Sequence, residues 1–298
     1  MFVSVIIPTY NEEKYLPRLL RALKKQTYTE FEIIVSDADS TDRTREIAES
    51  FGVAVVGGGL PSIGRNRGAA AAKGDFFFFF DADIIIPATF IEKAVAEIEE
   101  KSIGLAGCEA KPLSTKALDK VLHKFAHVGM KITKDSNPRV PGYCLLIYRK
   151  VFEKIGGFDE TIRVAEDLNL VTRTVEHTPL HILESTYIQV SMRRYAKEGR
   201  LPYLGKSIQI YFYRKFKGEI KDEKDIEYEF GNFEEKESRE FAALLERIQE
   251  RLERLEKRIS KLMEKRGKVP EELQNAFQEI ADTLSNLLSN DDEDGRKE

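Results

Sequence analysis

Acidic residues follow two apolar runs in the first hundred residues, at the points where buried strands would end. Asp37 comes soon after the run 31–35, and Asp81 and Asp83 come directly after five consecutive phenylalanines. Because the carboxyl ends of parallel strands meet at one edge of a sheet, we expect these carboxylates to converge there. Asp81 and Asp83 flank the small Ala82, and such oxygen ligands suit Mg²⁺ or Mn²⁺ bound together with substrate phosphates.

Two further groups of charged residues could act with these carboxylates. Arg65 follows Gly64 in an alanine-rich segment, and it is either a surface charge or a side chain directed at a phosphate or a base. Glu166 and Asp167 precede a helical run. They are either acidic residues favoured by the helix dipole or the source of a general base for an acceptor hydroxyl.

Ordinary turn chemistry explains some of these residues equally well. Asp37 and Asp39 fit an Asx turn, and Asp42 fits an N-cap for the helix that it opens, which is the interpretation we prefer for Asp42. Acidic residues at several strand ends of one sheet are harder to attribute to turns alone.

The elements that must position these residues alternate between apolar strands and amphipathic helices. The phenylalanine run 76–80 fits only a strand buried on both faces. We predict an α/β fold with a mostly parallel sheet and helices on both faces. The predicted strands are 2–7, 31–35, 53–56, 76–80, 103–108 and 144–148, and the predicted helices are 12–26, 42–50, 61–73, 89–101, 116–132 and 166–176.

Composition restricts the class of protein. The chain has 298 residues, which favours two domains, and its 42% hydrophobic residues exclude a wholly disordered chain. Two cysteines are too few for a disulfide scaffold or a thiolate metal site. No apolar run approaches the ~18 residues of a membrane span, so a soluble cytoplasmic protein is expected. The acidic isoelectric point, about 5.8, argues against a nucleic-acid partner.

A charged extension follows the predicted catalytic domain 1–218. Within residues 219–298, apolar residues fall at heptad spacing over about three heptads, at 241, 245, 248, 252, 255, 259 and 262. A second seam covers 273–287, and the tail from residue 291 is expected to be disordered. The two seams predict a coiled-coil homodimer or a helical hairpin that packs within the chain.

A basic segment precedes this extension. Residues 189–218 contain eight basic residues and one acidic residue, with aromatic residues interleaved. The part at 205–216 is either a helix that closes the active site or a surface for peripheral membrane contact, and the first interpretation is slightly preferred.

Taken in order, four segments resemble glycosyltransferase family 2, whose members are inverting nucleotide-sugar transferases with the GT-A fold. The segments are VSVIIPTYNEE at 3–13, DADSTD at 37–42, RNRG to DAD at 65–83, and GGFDE at 156–160 followed by Glu166-Asp167.

The resemblance implies a role for each matching residue. Asp167 would be the catalytic base beside Glu166, and Asp83 and Asp81 would hold Mn²⁺ or Mg²⁺, with Asp83 the more direct ligand. The implied nucleotide contacts are Pro8, Thr9, Tyr10, Glu12, Asp37, Arg65, Asp81 and Ala82. The implied contacts to the diphosphate or the acceptor are Arg193, Arg194 and Gly142.

The sequence departs from the family pattern in three places. Ala38 and Asp39 stand where Asp-Gly is usual, and Asn169 replaces a common acid. Around Arg193 and Arg194 only part of the Gln-x-x-Arg-Trp element remains, which argues against a processive polysaccharide synthase.

The implied activity is sugar transfer with inversion from a nucleotide-diphosphate donor, a UDP-sugar before GDP-mannose. The acceptor is a glycan, a lipid phosphate or another molecule, and the expected location is the cytoplasm or the inner face of the membrane. The alternative is a non-catalytic nucleotide-binding scaffold that assembles through its C-terminal helices. A nucleotidyltransferase is less favoured, because no glycine-rich loop follows the first strand.

Overall fold

A computed structural model describes residues 1–198, 210, 213–214, 217–222 and 254. The described residues fall into two compact units. The first contains Met1–Leu113, Lys134–Ser191 and the described residues of 206–229, and the second contains Ser114–Thr133 and the described residues of 192–205 and 230–298. Both heptad seams, the charged tail and half of the basic segment lie outside the described residues.

Eight strands of the first unit form one mixed sheet in the order β3-β2-β1-β4-β7-β6-β8-β5. Strands β1 to β4 pair with one another in parallel, and β6 pairs with β8 in parallel. Strand β7 runs antiparallel to β4 and β6, and β5 runs antiparallel to β8. The strands are β1 Val3–Thr9, β2 Phe31–Asp37, β3 Ala54–Gly57, β4 Phe76–Phe80, β5 Ile84–Ile85, β6 Leu105–Pro112, β7 Cys144–Tyr148 and β8 Leu180–Val190.

Helices connect most of these strands. They are α1 Leu16–Lys24, α2 Thr44–Ser50, α3 Pro61–Ala71, α4 Phe90–Lys101, α5 Ala117–Thr133, α6 Arg149–Lys154, α7 Glu166–Thr174 and α8 Arg193–Glu198. In the part of the chain that the structure describes, none of them combines the length and the apolar character needed to cross a membrane.

Strand β4 is buried on both faces, as the phenylalanine run predicts. Phe76, Phe78 and Phe80 join the main core with α1 and α4, where Phe90 of α4 contacts the rings of Phe78 and Phe80. Phe77 and Phe79 contact other aromatic residues on the opposite face. Helices therefore cover both faces, and the predicted α/β architecture is confirmed.

The predicted sheet needs two corrections in its second half. Strand β7 runs antiparallel between β4 and β6, with Phe80 opposite Cys144. Strand β8 and the short helix α6 were not predicted at all. An apolar run such as 144–148 looks the same in either direction, so its sequence could not show that the strand is reversed.

Several predicted boundaries also shift. The first helix begins at Leu16 rather than residue 12, because Asn11 has a left-handed φ of 54° and the chain turns once before Tyr15. The backbone N–H groups of Tyr15 and Leu16 both donate to the carbonyl oxygen of Glu12, which closes that turn.

The predicted division at residue 218 stays a prediction, since most of the extension lies outside the described residues. The described residues Glu219 and Ile220 belong to the first unit.

Candidate active site

The loops after β1 and β2 are joined by hydrogen bonds into one rim at the carboxyl edge of the sheet. The N–H of Asn11 donates to Ser40 Oγ at 2.9 Å, and the N–H of Thr41 donates to Asn11 Oδ1 at 2.9 Å. The N–H of Glu12 donates to Thr44 Oγ1 at 2.7 Å. Above this rim the ring of Tyr10 is 62% exposed, so one face is available to stack on a flat ligand.

Asp37 is fully buried at the end of β2, and its carboxylate binds residues of this rim. Its Oδ1 accepts from Thr9 Oγ1 at 3.1 Å and from Ser40 Oγ at 2.6 Å, and its Oδ2 accepts from the N–H of Ser40 at 3.0 Å. The bond from Ser40 reaches three residues along the chain rather than the two of an Asx turn, so the Asx-turn interpretation of Asp37 is not confirmed.

Asp42 was predicted to be the N-cap of α2, but that position is occupied by Arg43, which makes no side-chain capping hydrogen bond. Asp42 lies one residue earlier, where its Oδ1 accepts from the N–H of Thr44 at 2.9 Å and its Oδ2 accepts from the N–H of Glu13 at 3.1 Å. These hydrogen bonds lower the pKa of Asp42 although burial opposes the shift.

Arg65 is buried in α3 and bridges two of the predicted site carboxylates. Its Nη1 donates to Glu166 Oε1 at 2.6 Å and its Nη2 donates to Asp81 Oδ1 at 3.0 Å. The ring of Phe158 lies 5.5 Å from its Cζ. Arg65 is therefore not a surface charge, and it links the end of β4 to the start of α7 across 101 residues of sequence.

The carboxylate of Asp167 is fixed by two backbone groups. Its Oδ2 accepts from the N–H of Gly142 at 2.6 Å and its Oδ1 accepts from the N–H of Leu168 at 2.8 Å. Burial and the nearby charge of Glu166 raise the pKa of Asp167 to about 6, although Arg65 opposes the shift. A carboxyl with this pKa is ionised at neutral pH and basic enough to take a proton.

Gly142 is needed for the close approach of these groups. A Cβ at this position would lie 2.8 Å from Arg65 Nη2 and 3.2 Å from Asp167 Oδ2. Because β7 runs antiparallel to β4, the loop before β7 comes to the same edge as the residues after β4, and the N–H of Asp81 donates to the carbonyl of Tyr143.

Sequence reasoning missed the side chains that hold the loop before α7. Asn66 Nδ2 donates to the carbonyl of Phe158 at 2.9 Å, and Asn66 Oδ1 accepts from the N–H of Phe158 at 2.9 Å. Arg173 donates to the carbonyls of Ile155 and Gly157 at 2.7 and 2.6 Å. Asn66 stood beside Arg65 in the matched segment, which was the only available sign of its role.

The carboxylates at the end of β4 are suited to a divalent cation that a substrate also coordinates. Asp81 and Asp83 are both partly exposed, on either side of the buried Ala82. The described residues contain no cluster of three or more His, Cys, Asp or Glu side chains that could hold an ion without other ligands. Two carboxylates still fit Mg²⁺ or Mn²⁺ when phosphate oxygens and water complete the coordination.

The structure brings most of the predicted site residues to one edge of the sheet. Pro8 and Thr9 end β1 beside Ser36 and Asp37 of β2. Arg193 and Arg194 belong to the second unit, in the short helix α8, so their predicted contact with a diphosphate remains a prediction.

A family model described as Glycosyl transferase family 2 matches residues 4–156, just over half of the chain. The chain belongs to this family. The predicted resemblance is thereby confirmed, and the matched residues include nearly all of β1, together with β2, Arg65 and the carboxylates after β4.

Curated relatives of this glycosyltransferase family member match parts of the chain that differ in length. The poly(ribitol-phosphate) beta-N-acetylglucosaminyltransferase TarS of Staphylococcus aureus is 39% identical over 110 residues, which are 34% of this chain and 19% of TarS. The chain therefore matches about a fifth of the length of that relative. An uncharacterized glycosyltransferase of Haemophilus influenzae is 29% identical over 210 residues, 64% of this chain and 69% of that protein.

Solved structures share the fold. Residues 1–349 of S. aureus TarS in complex with UDP superpose with a TM-score of 0.53 at 26% identity, over 66% of this chain and 63% of that one. The mannosyltransferase PcManGT of Pyrobaculum calidifontis, in complex with GDP-Man and Mn²⁺, also gives 0.53, at 19% identity over 70% and 64% of the two chains. The GT-A fold predicted from the sequence is confirmed by these matches.

Proposed function

We propose that this protein transfers a sugar from a nucleotide-diphosphate donor to an acceptor oxygen with inversion of the anomeric centre. The observation that carries the proposal is the placement of Asp167, which is fixed by the N–H groups of Gly142 and Leu168 beside the Arg65–Asp81 ion pair. A candidate base and a candidate donor-binding carboxylate are thus linked through one buried guanidinium.

Asp167 supplies the base. Each of its oxygens accepts one backbone N–H, so each keeps a lone pair for an acceptor hydroxyl. Removing the acceptor proton as the oxygen attacks, on the face opposite the diphosphate, inverts the configuration in one step. If the acceptor is itself a phosphate, no proton needs to be removed and Asp167 only orients it.

Asp83 and Asp81 are the residues that would hold Mn²⁺ or Mg²⁺ on the donor side, with Asp83 as the more direct ligand. A bound divalent ion supplies charge neutralisation for the diphosphate leaving group. Asp81 also accepts a hydrogen bond from Arg65, which fixes its carboxylate after β4.

Tyr10 and Asp37 form the part of the site that is proposed to bind the nucleobase of the donor. The exposed ring of Tyr10 offers a stacking face, and the buried carboxylate of Asp37 lies under the rim formed by the first two loops. The TarS structure with UDP supports a uridine donor before GDP-mannose. The acceptor is left open among a glycan, a lipid phosphate and other hydroxyl-bearing molecules.

The test begins with donor binding by the 298-residue chain. UDP-sugars and GDP-mannose are screened with Mn²⁺ or Mg²⁺ by thermal shift, where ligand at ~100-fold over its dissociation constant stabilises by about 3 kcal/mol. A binding donor is then assayed for hydrolysis and transfer, and the anomeric configuration of the product is read by NMR.

Asp167→Asn is the decisive variant. It should lower kcat at least ~100-fold while the donor-induced thermal shift persists, because the base is lost and the donor side is unchanged. Glu153→Gln is a control, since it breaks only the exposed pair with Arg149 on α6. Near-normal turnover of Asp167→Asn would refute the role of the base, and donor binding without turnover by the unmodified protein would favour the scaffold alternative.

A further inference from the structure

Two residues just after the predicted domain end at residue 218 pack on the segment before α7. The N–H of Arg163 donates to the carbonyl of Ile220 at 3.0 Å, and Val164 and Ile220 form an antiparallel bridge. The side chain of Ile220 is fully buried. We call Glu219 and Ile220 the clasp.

The clasp is connected to α7 by a side-chain hydrogen bond. Asn169 Nδ2 donates to Glu219 Oε1 at 3.1 Å, while Asn169 Oδ1 accepts from Arg173 Nε at 2.8 Å. Both ends of the amide are therefore used, and the two partners assign its orientation. Since Arg173 also holds the carbonyls of Ile155 and Gly157, one network links the clasp to the loop before α7.

Glu219 is held as a charged residue. Burial on its own would raise the pKa of Glu219, but hydrogen bonds from Arg214 and Asn169 outweigh it and lower the pKa. Arg214 donates to both carboxylate oxygens, at 2.8 and 2.9 Å. A second carboxylate at position 169 would therefore face an ionised glutamate, which accounts for an asparagine at a position where the family commonly has an acid.

The backbone between the clasp and the base is in a conformation that needs support. Ala165 has a left-handed φ of 63° immediately before Glu166 and Asp167. A residue with a Cβ adopts this conformation at a cost, so the surroundings must hold it. On one side Arg163 and Val164 are paired with Ile220, and on the other the N–H of Asn169 donates to the carbonyl of Ala165 at 3.2 Å.

We propose that Glu219 and Asn169 are positioning residues that hold the turn at Ala165, and thereby Asp167, in the geometry needed for proton removal. The consequence for catalysis rests on the proposed function of Asp167. Whether the clasp holds this turn is a question of structure, and hydrogen exchange can test it without any assay of activity.

The test is a charge-and-rescue pair in the full chain. Asn169→Asp places a carboxylate against Glu219. In the double variant N169D/E219Q, the amide at 219 can donate to the carboxylate at 169, which restores a hydrogen bond between the two side chains. The N169D variant should lower kcat about tenfold, with the donor KM changed less than threefold, and the double variant should return kcat to within about threefold. The assays are run at pH 8, where the extra charge on α7 leaves Asp167 ionised.

Amide hydrogen exchange supplies the independent measurement. The amides of 163–169 should exchange at least tenfold faster in N169D and return towards the wild-type rate in N169D/E219Q, whereas Glu153→Gln should leave them unchanged. Unchanged exchange in N169D, faster exchange with normal kcat, or a double variant as impaired as N169D would each overturn the proposal. A wild-type protein without turnover on any donor would refute the proposed function, and the exchange rates would still decide the clasp.

Discussion

The guanidinium of Arg65 lies near three carboxyl groups at the centre of the site. The two terminal nitrogens of Arg65 contact Asp81 and Glu166, and the third carboxyl, Asp167, is held only by backbone N–H groups. Burial lowers the pKa of Arg65, but the three carboxylates outweigh it and raise that pKa, so the arginine stays charged. The pKa of Asp167 is raised to about 6, chiefly by burial and by the charge of Glu166.

Activity should fall on the acid side with the titration of Asp167. Its pKa is raised to about 6, chiefly by burial and Glu166, and only the ionised form can take a proton. We expect kcat/KM to be level above about pH 7 and to fall about tenfold per pH unit below pH 6. A pH profile measured with saturating metal checks this, and a profile that stays level to pH 5 would contradict it.

The same group gives stability the opposite dependence on pH. Because the folded-state pKa lies above the ordinary value of 3.8, folding favours the protonated form of Asp167. Its contribution to stability is fully present below pH 3.8 and is lost as the pH rises to about 6. Asp167→Asn should lack this component, so urea melts of the two proteins between pH 4 and 7 provide the control.

Strand β4 is the element that connects the core to the site. Phe79 contacts Phe158 of the loop before α7, with ring centroids 5.2 Å apart and nearly perpendicular planes. Phe78 points to the other face and contacts Phe90 of α4 at 6.5 Å. Neighbouring residues of one strand thus support two different parts of the molecule.

Phe79→Leu and Phe78→Leu should separate stability from activity. Both remove aromatic packing from a fully buried position, and we expect each to lower the free energy of unfolding by about 1–3 kcal/mol. Only Phe79→Leu should also lower kcat/KM, by about tenfold, because it loosens the support of Phe158, whose ring lies against Arg65. Urea denaturation with steady-state kinetics measures both, and equal kinetic losses in the two variants would show that the faces act alike.

At the scale of the whole molecule, local patterns predicted the elements better than the contacts between them. The phenylalanine run and the following Asp81 and Asp83 were enough to place β4 and the acidic edge. The contact between Arg65 and Glu166 spans 101 residues, and no periodicity carries such information. A resemblance to the family supplied what periodicity could not.

Strand β8 shows a second limit of sequence patterns. Its register with β6 shifts between Cys108 and Glu109, and exposed Glu184 and Ser185 interrupt its buried positions. A strand with such an irregularity lacks the regular alternation that identifies strands in a sequence. Strand β7 was predicted at its observed position, but its reversed direction was not, and that direction is what brings Gly142 to Asp167.

The heptad seams of the extension make a prediction about assembly that the described residues leave untested. If residues 241–262 form a homodimer, light scattering of the 34.1 kDa chain should give twice that mass. Leu252→Glu with Leu255→Glu puts charges into the seam and should return the mass to that of one chain. The matched control, Lys257→Glu with Lys261→Glu, adds two glutamates outside the seam and should leave the dimer intact. A wild-type mass of one chain would contradict the homodimer and favour a hairpin within the chain. In that case the two seam substitutions should lower the melting temperature without changing the mass.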